Sequence, residues 1–215
     1  MSDMPSDVPS PPPTPAAPVT RTVIWRRLDQ PGTEYCACMY EDKGAMFEGY
    51  VIGALDGRPI RVEYSVECDT AWATWDVLVQ CYFADAPAST FKLERDDASR
   101  WKRIDLDHPA DEVELPQVAG CIDVDLGITP ATNTLPIRRL NLAVGESAEV
   151  TAAWVRFPAL TIEPLRQRYT RLDTNRYRYE SDTGFSAELI VDEMGLVIEY
   201  PPGWERVAKS DRVGS

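Results

Sequence analysis

From Arg21 onward, apolar residues recur at every second position, and this pattern returns in run after run. Ile60, Val62, Tyr64, Val66 and Cys68 alternate with Arg61, Glu63, Ser65 and Glu67. Successive side chains of a strand point to opposite faces, so such a run has one buried and one wet face. Trp75, Val77, Val79, Cys81 and Phe83 form a second row; Phe185, Ala187, Leu189 and Val191 form a third. Similar runs lie near 22–28, 34–41, 46–55, 89–94, 100–105, 148–157, 164–172, 175–181 and 196–200. Between them stand turn signals: Gln30-Pro31-Gly32, Asp56-Gly57-Arg58-Pro59, Asp173-Thr174-Asn175, Asp182-Thr183-Gly184 and Glu193-Met194-Gly195. About a dozen strands joined by short turns predict an all-β antiparallel meander. Helix is confined to a short turn around Leu135 to Leu140, with Pro136 in its first turn.

A meander of this length must curl, because a large flat sheet would expose both edges and one apolar face. The expected architecture is a single-domain half-barrel or roll. Its inward rows are rich in Trp, Tyr, Phe, Val and Met. Such a lining either fills its own interior or encloses an apolar ligand.

Residues 1–19 are mostly Pro, Ser, Ala and Asp, a composition that cannot bury a core and reads as a disordered or polyproline tail. The half-barrel is expected over 20–207, with 208–215 as a flexible C-terminal end. The net charge of −13 argues against nucleic acid as a partner and against anionic membrane surfaces. No apolar run approaches the roughly 20 residues that span a bilayer. Five cysteines without a secretory signal predict free, buried thiols in a reducing compartment, and hence a cytoplasmic protein. Cys36-x-Cys38 lacks the second pair or histidine that would complete a zinc set. No metal or cofactor is implied.

The densest polar cluster runs from Gly120 to Leu142, GCIDVDLGITPATNTLPIRRLNL. Asp123 and Asp125 sit two apart, so on a strand both carboxylates share a face. Arg138 and Arg139 follow a turn that could fold back toward them. The segment needs either an internal hydrogen-bond network, with Asp123 and Asp125 pinned by Arg138, Arg139 or backbone amides, or a ligand. Thr129 and Asn133 lie on the loop between.

This segment, with pieces on either side, resembles the bacterial family named "Putative glycolipid-binding". The matching pieces are Trp25-Arg26-Arg27-Leu28-Asp29, Tyr64-x-Val66-x-Cys68-Asp69-x-x-Trp72, Trp154-Val155, Gln167-x-Tyr169-Thr170, Tyr177-x-Tyr179-Glu180-Ser181, and Gly184-Phe185 through Tyr200-Pro201. They occur in order over roughly residues 22 to 206. The resemblance implies a fold similar to lipoprotein and lipid-carrier half-barrels and, through the family name, a lipid or glycolipid ligand.

Other chemistry is weaker. The Asp123-Val124-Asp125 start is similar to a haloacid-dehalogenase phosphatase motif, but its flanks lack the helices of a doubly wound sheet. As a sugar-hydrolysing dyad the two acids have no independent sugar-binding context. Arg166, Arg168, Arg171, Arg176 and Arg178 form a basic stripe that Glu163, Asp173 and Glu180 can neutralise. His108, the one histidine, builds no catalytic relay.

The expected function is therefore non-covalent binding of an amphipathic molecule, a lipid or glycolipid, in the concave face of the sheet. The candidate ligand-binding residues are Asp69, Trp72, Asp123, Asp125, Thr129, Asn133, Arg138, Arg139, Gln167 and Tyr169. Two alternatives stand beside it: a hydrolase using Asp123 and Asp125 as acid and base, and a structural module whose interior is full.

Overall fold

In the computed structural model, which describes residues 18–108 and 112–213, the period-two runs become strands of one open sheet. A first arm comprises β1 (Val19–Arg27), β2 (Gly32–Glu41), β3 (Gly44–Leu55) and β4 (Arg58–Cys68). It continues through β5 (Thr74–Phe83), β6 (Ser89–Arg95), β7 (Trp101–Asp105) and β8 (Glu112–Glu114). The second arm holds β9 (Asp123–Leu126), β10 (Ser147–Arg156), β11 (Thr161–Arg171) and β12 (Arg176–Ser181). It ends with β13 (Ser186–Val191), β14 (Val197–Tyr200) and β15 (Trp204–Val213). The spatial order is β8-β7-β6-β5-β4-β3-β2-β1-β15-β14-β13-β12-β11-β10-β9. The first and last strands thus pair at the centre, and β8 and β9, neighbours in sequence, lie at opposite edges.

The all-β expectation holds, with two additions. The chain is two meanders rather than one, and the β9–β10 pair is parallel while the remaining ladders are antiparallel. The first follows from the β8–β9 connection, which carries the chain from one edge of the sheet to the other, and the second from a crossover between β9 and β10. The crossing segment, residues 115–142, comprises the β8–β9 connection with its 3-10 turn at Pro116–Val118, β9 itself, and the start of the β9–β10 connection with a 3-10 turn at Ala131–Asn133 and the helix α1 (Thr134–Leu140). Asn141, in the left-handed region at φ 42°, ends the helix.

The crossing is held at both sides. On the first arm, Gly120 N donates to Ser99 O at 2.8 Å, Trp101 Nε1 to Cys121 O at 2.8 Å and Thr74 N to Ile122 O at 3.1 Å. On the second, Thr134 Oγ1 donates to Gly195 O at 3.1 Å and Gln117 Nε2 to Ile162 O at 3.0 Å. Arg103 of β7 reaches Leu160 O, between β10 and β11, at 2.8 Å, so the curl brings the two ends of the sheet together. Val118, Val124, Leu126, Ile128 and Leu135 of the crossing join one core with the inner rows of both arms. The concave face is largely filled by the protein's own connection.

A buried polar lock fixes that filling. Glu34 lies in the inner row of β2 with Cys36, Cys38 and Tyr40, and is 0% exposed. Its Oε1 accepts from Thr129 Oγ1 at 2.7 Å and from the Tyr64 hydroxyl. Tyr64 reaches it from two strands away because Gly49 lies beneath the ring: a Cβ there would stand 2.1 Å from the Tyr64 ring carbons. Burial pushes the Glu34 carboxyl up to about 8, with the two hydroxyls opposing the shift.

Two sequence expectations need correction. Trp75, assigned to the inner row of β5, is 44% exposed. A β-bulge is the cause: Glu67 pairs with Asp76 and Cys68 with Thr74, so Trp75 is the extra residue and the alternation slips there. Residues 208–213, expected to be a flexible end, are the outer half of β15, paired from Ala208↔Ile24 to Val213↔Val19. Ala208-Lys209-Ser210-Asp211-Arg212 carries no apolar alternation, because this part of the strand is exposed on both faces. Ladder bonds and the Arg21 Nε–Asp211 Oδ1 pair at 2.7 Å hold it instead. The expected tail at 1–19 lies outside the described residues through 17, and Val19 already belongs to β1.

The lock has a pH signature. An unfolded Glu34 ionises near its ordinary value of 4.5, whereas the folded one keeps its proton to about 8. Between these values the unfolded state binds fewer protons, so stability falls as pH rises through the window. Glu34→Gln keeps an acceptor without the charge. Its stability relative to the parent should therefore rise by about 3–5 kcal/mol from the bottom to the top of that window, read by urea unfolding. A difference constant with pH would show that Glu34 is not held neutral.

Candidate ligand-binding site

The crossing delivers β9 to the far edge, with Asp123 opposite Ala152 and Asp125 opposite Trp154 of β10. The two aspartates share a strand face but have different surroundings. Asp123 is 1% exposed and clasped by Arg139, whose Nε donates to Oδ1 at 3.0 Å and whose Nη2 donates to Oδ2. Burial pushes the Asp123 pKa up, and the bonds and charge of Arg139 oppose it. Arg139 stands in the last turn of α1, where a cation also suits the helix dipole.

Asp125 is half-buried and accepts a hydrogen bond from Gln167 Nε2 at 2.5 Å. Burial raises its pKa to about 6, with the Gln167 bond opposing. Arg138 joins neither acid. Its guanidinium sits 4.9 Å from the Trp72 ring centroid, and its Nη1 donates to Glu193 O at 3.4 Å. The single network of Asp123, Asp125, Arg138 and Arg139 is therefore corrected to three separate attachments. Helical geometry explains the split, because adjacent residues of a helix point about 100° apart.

Asp125 opens onto a cavity of about 290 Å³ between the crossing and the second arm. Trp154, Leu165, Tyr179, Phe185, Tyr200 and Trp204 supply the apolar side of its wall. Tyr179, Phe185 and Tyr200 stand mutually 6.0–6.2 Å apart, inclined at 55–73°. Gly127 lets the Trp154 indole close over the end of β9, since a Cβ there would lie 2.9 Å from Nε1. Asp29, Thr183, Phe185 and Pro202 are exposed and form the mouth. Arg27 lies beside them, held by Asp29 at 2.8 Å and placed 5.6 Å from the Trp204 ring centroid.

Of the ten expected site residues, Asp125, Thr129 and Asn133 line this cavity. Gln167 holds Asp125 from β11, and the Tyr169 hydroxyl donates to Asn133 Oδ1 at 3.0 Å. Asp123 and Arg139 lie behind, as a closed pair. Asp69, Trp72 and Arg138 lie elsewhere, around a cleft of only about 20 Å³. Asp69 Oδ1 accepts from Ala71 N and Ala73 N, at 2.8 and 3.0 Å, and so closes the β4–β5 turn. Trp72, at φ 66°, packs on Tyr40 and Phe47.

The aromatic wall is absent from the expected set. Its rings come from β10, β12, the turn before β13, and the β14–β15 corner, so no local spacing gathers them. The available signal was the recurrence of aromatics beside turn residues, as in Gly184-Phe185 and Tyr200-Pro201-Pro202-Gly203-Trp204. The outer face of β10–β12 carries a wider groove of about 490 Å³, walled by Glu149, Arg166, Arg168, Glu180 and Asp182. Its charges are mixed, and Arg176 and Arg178 are both engaged by Glu188. Among the described residues no group of three His, Cys, Asp or Glu side chains could hold a metal ion.

Fold and site together define a curled, open β-sheet protein whose concavity is packed by its own crossing segment, with an aromatic-walled cavity beside Asp125. The chain belongs to the family described as "Putative glycolipid-binding", whose model matches residues 22–206. It is similar to a crystal structure of a DUF1089 family protein from Pseudomonas aeruginosa. The two share 35% identity and a TM-score of 0.67 over 81% of this chain and 92% of that one. No curated protein matches the chain. No helix among the described residues is long and apolar enough to cross a membrane.

The separate attachments make the two aspartates behave differently. Asp123→Asn leaves Arg139 without its counter-charge and should cost about 1–3 kcal/mol. Asp125→Asn keeps an oxygen for Gln167 and removes an ionised group from a partly desolvated position. At neutral pH, above the Asp125 pKa of about 6, it should be neutral or stabilising. Chemical denaturation of both variants tests this, and equal losses would restore a single shared network.

Proposed function

We propose that this protein binds an amphipathic molecule non-covalently, seating its head group or a short segment in the cavity above Asp125. The observation that carries the reading is the cavity itself: five aromatic side chains around about 290 Å³, with Asp125 at the base and the Arg27–Asp29 pair at the mouth. Small-molecule sites combine apolar and aromatic surface with placed polar groups, usually at 300–1,000 Å³. This volume, at the lower edge of that range, suits a head group better than a whole acyl chain. The mouth leaves room for the rest of the molecule to extend outward. The family description, with its glycolipid, supports the same class of ligand.

The hydrolase alternative requires both acids at one substrate. Asp123 is closed against Arg139, and only Asp125 borders the cavity, so a two-carboxylate mechanism has less support than binding. The full-interior alternative accounts for the crossing but not for the remaining aromatic pocket. The five cysteines stand as buried free thiols, which fits work in a reducing compartment such as the cytoplasm.

A non-ionic long-chain amphiphile should bind saturably, near one per chain, with a change in tryptophan fluorescence from Trp154 and Trp204. Tyr200→Ala should weaken that binding about tenfold, the scale of removing one buried ring from a site, while the fold remains intact. Absence of saturable binding across several chain lengths, or equal binding by the variant, would overturn the reading.

A further inference from the structure

The cavity has an unbalanced charge at its base. Asp125 accepts a bond from the neutral Gln167 amide, and among the described residues no ion pair reaches it. The guanidinium groups beside the cavity's tryptophans are already committed. Arg27 is bonded to Asp29, and Arg156, 4.9 Å from the Trp154 ring centroid, faces Glu163 at 3.4 Å. A partly desolvated carboxylate normally has a counter-charge or is driven toward its neutral form.

The wall supplies the complementary feature. Aromatic faces attract cations through the ring quadrupole, most effectively where water is excluded. Tyr179, Phe185 and Tyr200 are each tilted against the other two rather than stacked. With centroids only 6.0–6.2 Å apart the rings touch one another, so they present one joint aromatic surface to the cavity. The protein's own cations already use neighbouring rings, as Arg27 does on Trp204 and Arg156 on Trp154.

We propose that the cavity selects a head group carrying a positively charged nitrogen, with Asp125 as its counter-ion and the Tyr179–Phe185–Tyr200 surface against its carbon substituents. This rests on the reading of the cavity as the ligand site and narrows it to one chemical class. Two sources share that chemistry, a quaternary ammonium and an amino sugar. The raised pKa of Asp125 is consistent with a missing partner, since a bound cation would favour the ionised acid.

The test uses isosteric pairs at neutral pH and moderate salt: choline against 3,3-dimethylbutan-1-ol, and glucosamine against glucose, each titrated calorimetrically into the full chain. The charged member of at least one pair should bind about tenfold or more tightly than its neutral partner. The pair that shows the preference identifies the source. Asp125→Asn should abolish the preference. Phe185→Leu, at a position 38% exposed and so tolerant of change, should reduce the preference severalfold and serves if the first variant does not fold. Equal affinities within both pairs would overturn the inference. So would a preference that survives in the variants, which would mark general attraction to a chain of net charge −13. If the non-ionic amphiphile still binds in that case, the amphiphile reading stands alone; if neither it nor any small ligand binds, both fall.

Discussion

The fold depends on one buried hydrogen-bonded cluster, Glu34 with Tyr64 and Thr129. A sheet whose first and last strands pair at its centre leaves its middle strands at opposite edges. The connection between them must cross the concave face, and a crossing loop brings backbone polar groups into an apolar space. Here those groups find partners on both arms, and Thr129 ties the middle of the crossing to β2. The cluster uses an acid that burial holds protonated, so the lock costs less than a buried ionised carboxylate would. Gly49 is part of the same device, because only a missing side chain lets Tyr64 lie flat across β3.

The position of the cavity follows from how the crossing ends. Through Leu126 the segment lies on strands and supplies Val124 and Leu126 to the core. After Gly127 it turns through Pro130 and Ala131 into α1, which leans toward the Asp192–Leu196 turn through Thr134 and Arg138. The space beside β11, β12 and the β14–β15 corner is left to side chains alone, and the rings there do not close it. Asp125 faces that space because it shares a strand face with Asp123, which the Arg139 clasp holds in place. The exposed end of the pair is thus positioned by the buried end.

Much of this fold was legible in the sequence because alternation needs only one wet face and one dry face to show. Every run of alternating residues from 22–28 to 196–200 became a strand. Legibility ended where that contrast ended. The outer half of β15 is wet on both faces, and at Trp75 a bulge adds a residue and inverts the phase. Glu34 was in plain phase with Cys36, Cys38 and Tyr40, so an acid in a dry row was a visible sign of a buried polar site. The candidate site was legible only in part. Asp125, Thr129 and Asn133 are contiguous with the polar segment that announced them, while the aromatic wall is assembled from separate strands and turns by the curl of the sheet. Asp69 and Trp72 drew notice by chemistry, yet they serve a turn and its packing.

The two acids of β9 show how environment rather than identity assigns a role. Both are aspartates on one strand face, and burial raises the pKa of each. One has a bidentate arginine, which returns in charge and geometry much of what desolvation removes. The other has a single amide and an open space lined by rings. A carboxylate held short of partners at the base of a cavity adds little to folding, since the same position could hold a neutral residue at lower cost. On the proposed reading, what it adds is a directed charge for a ligand of opposite sign. The separation of these roles requires that Asp123 hold the strand rigidly, because a mobile β9 would let Asp125 turn to water. The buried pair therefore stabilises the fold and, through the strand it fixes, keeps the second acid directed at the cavity.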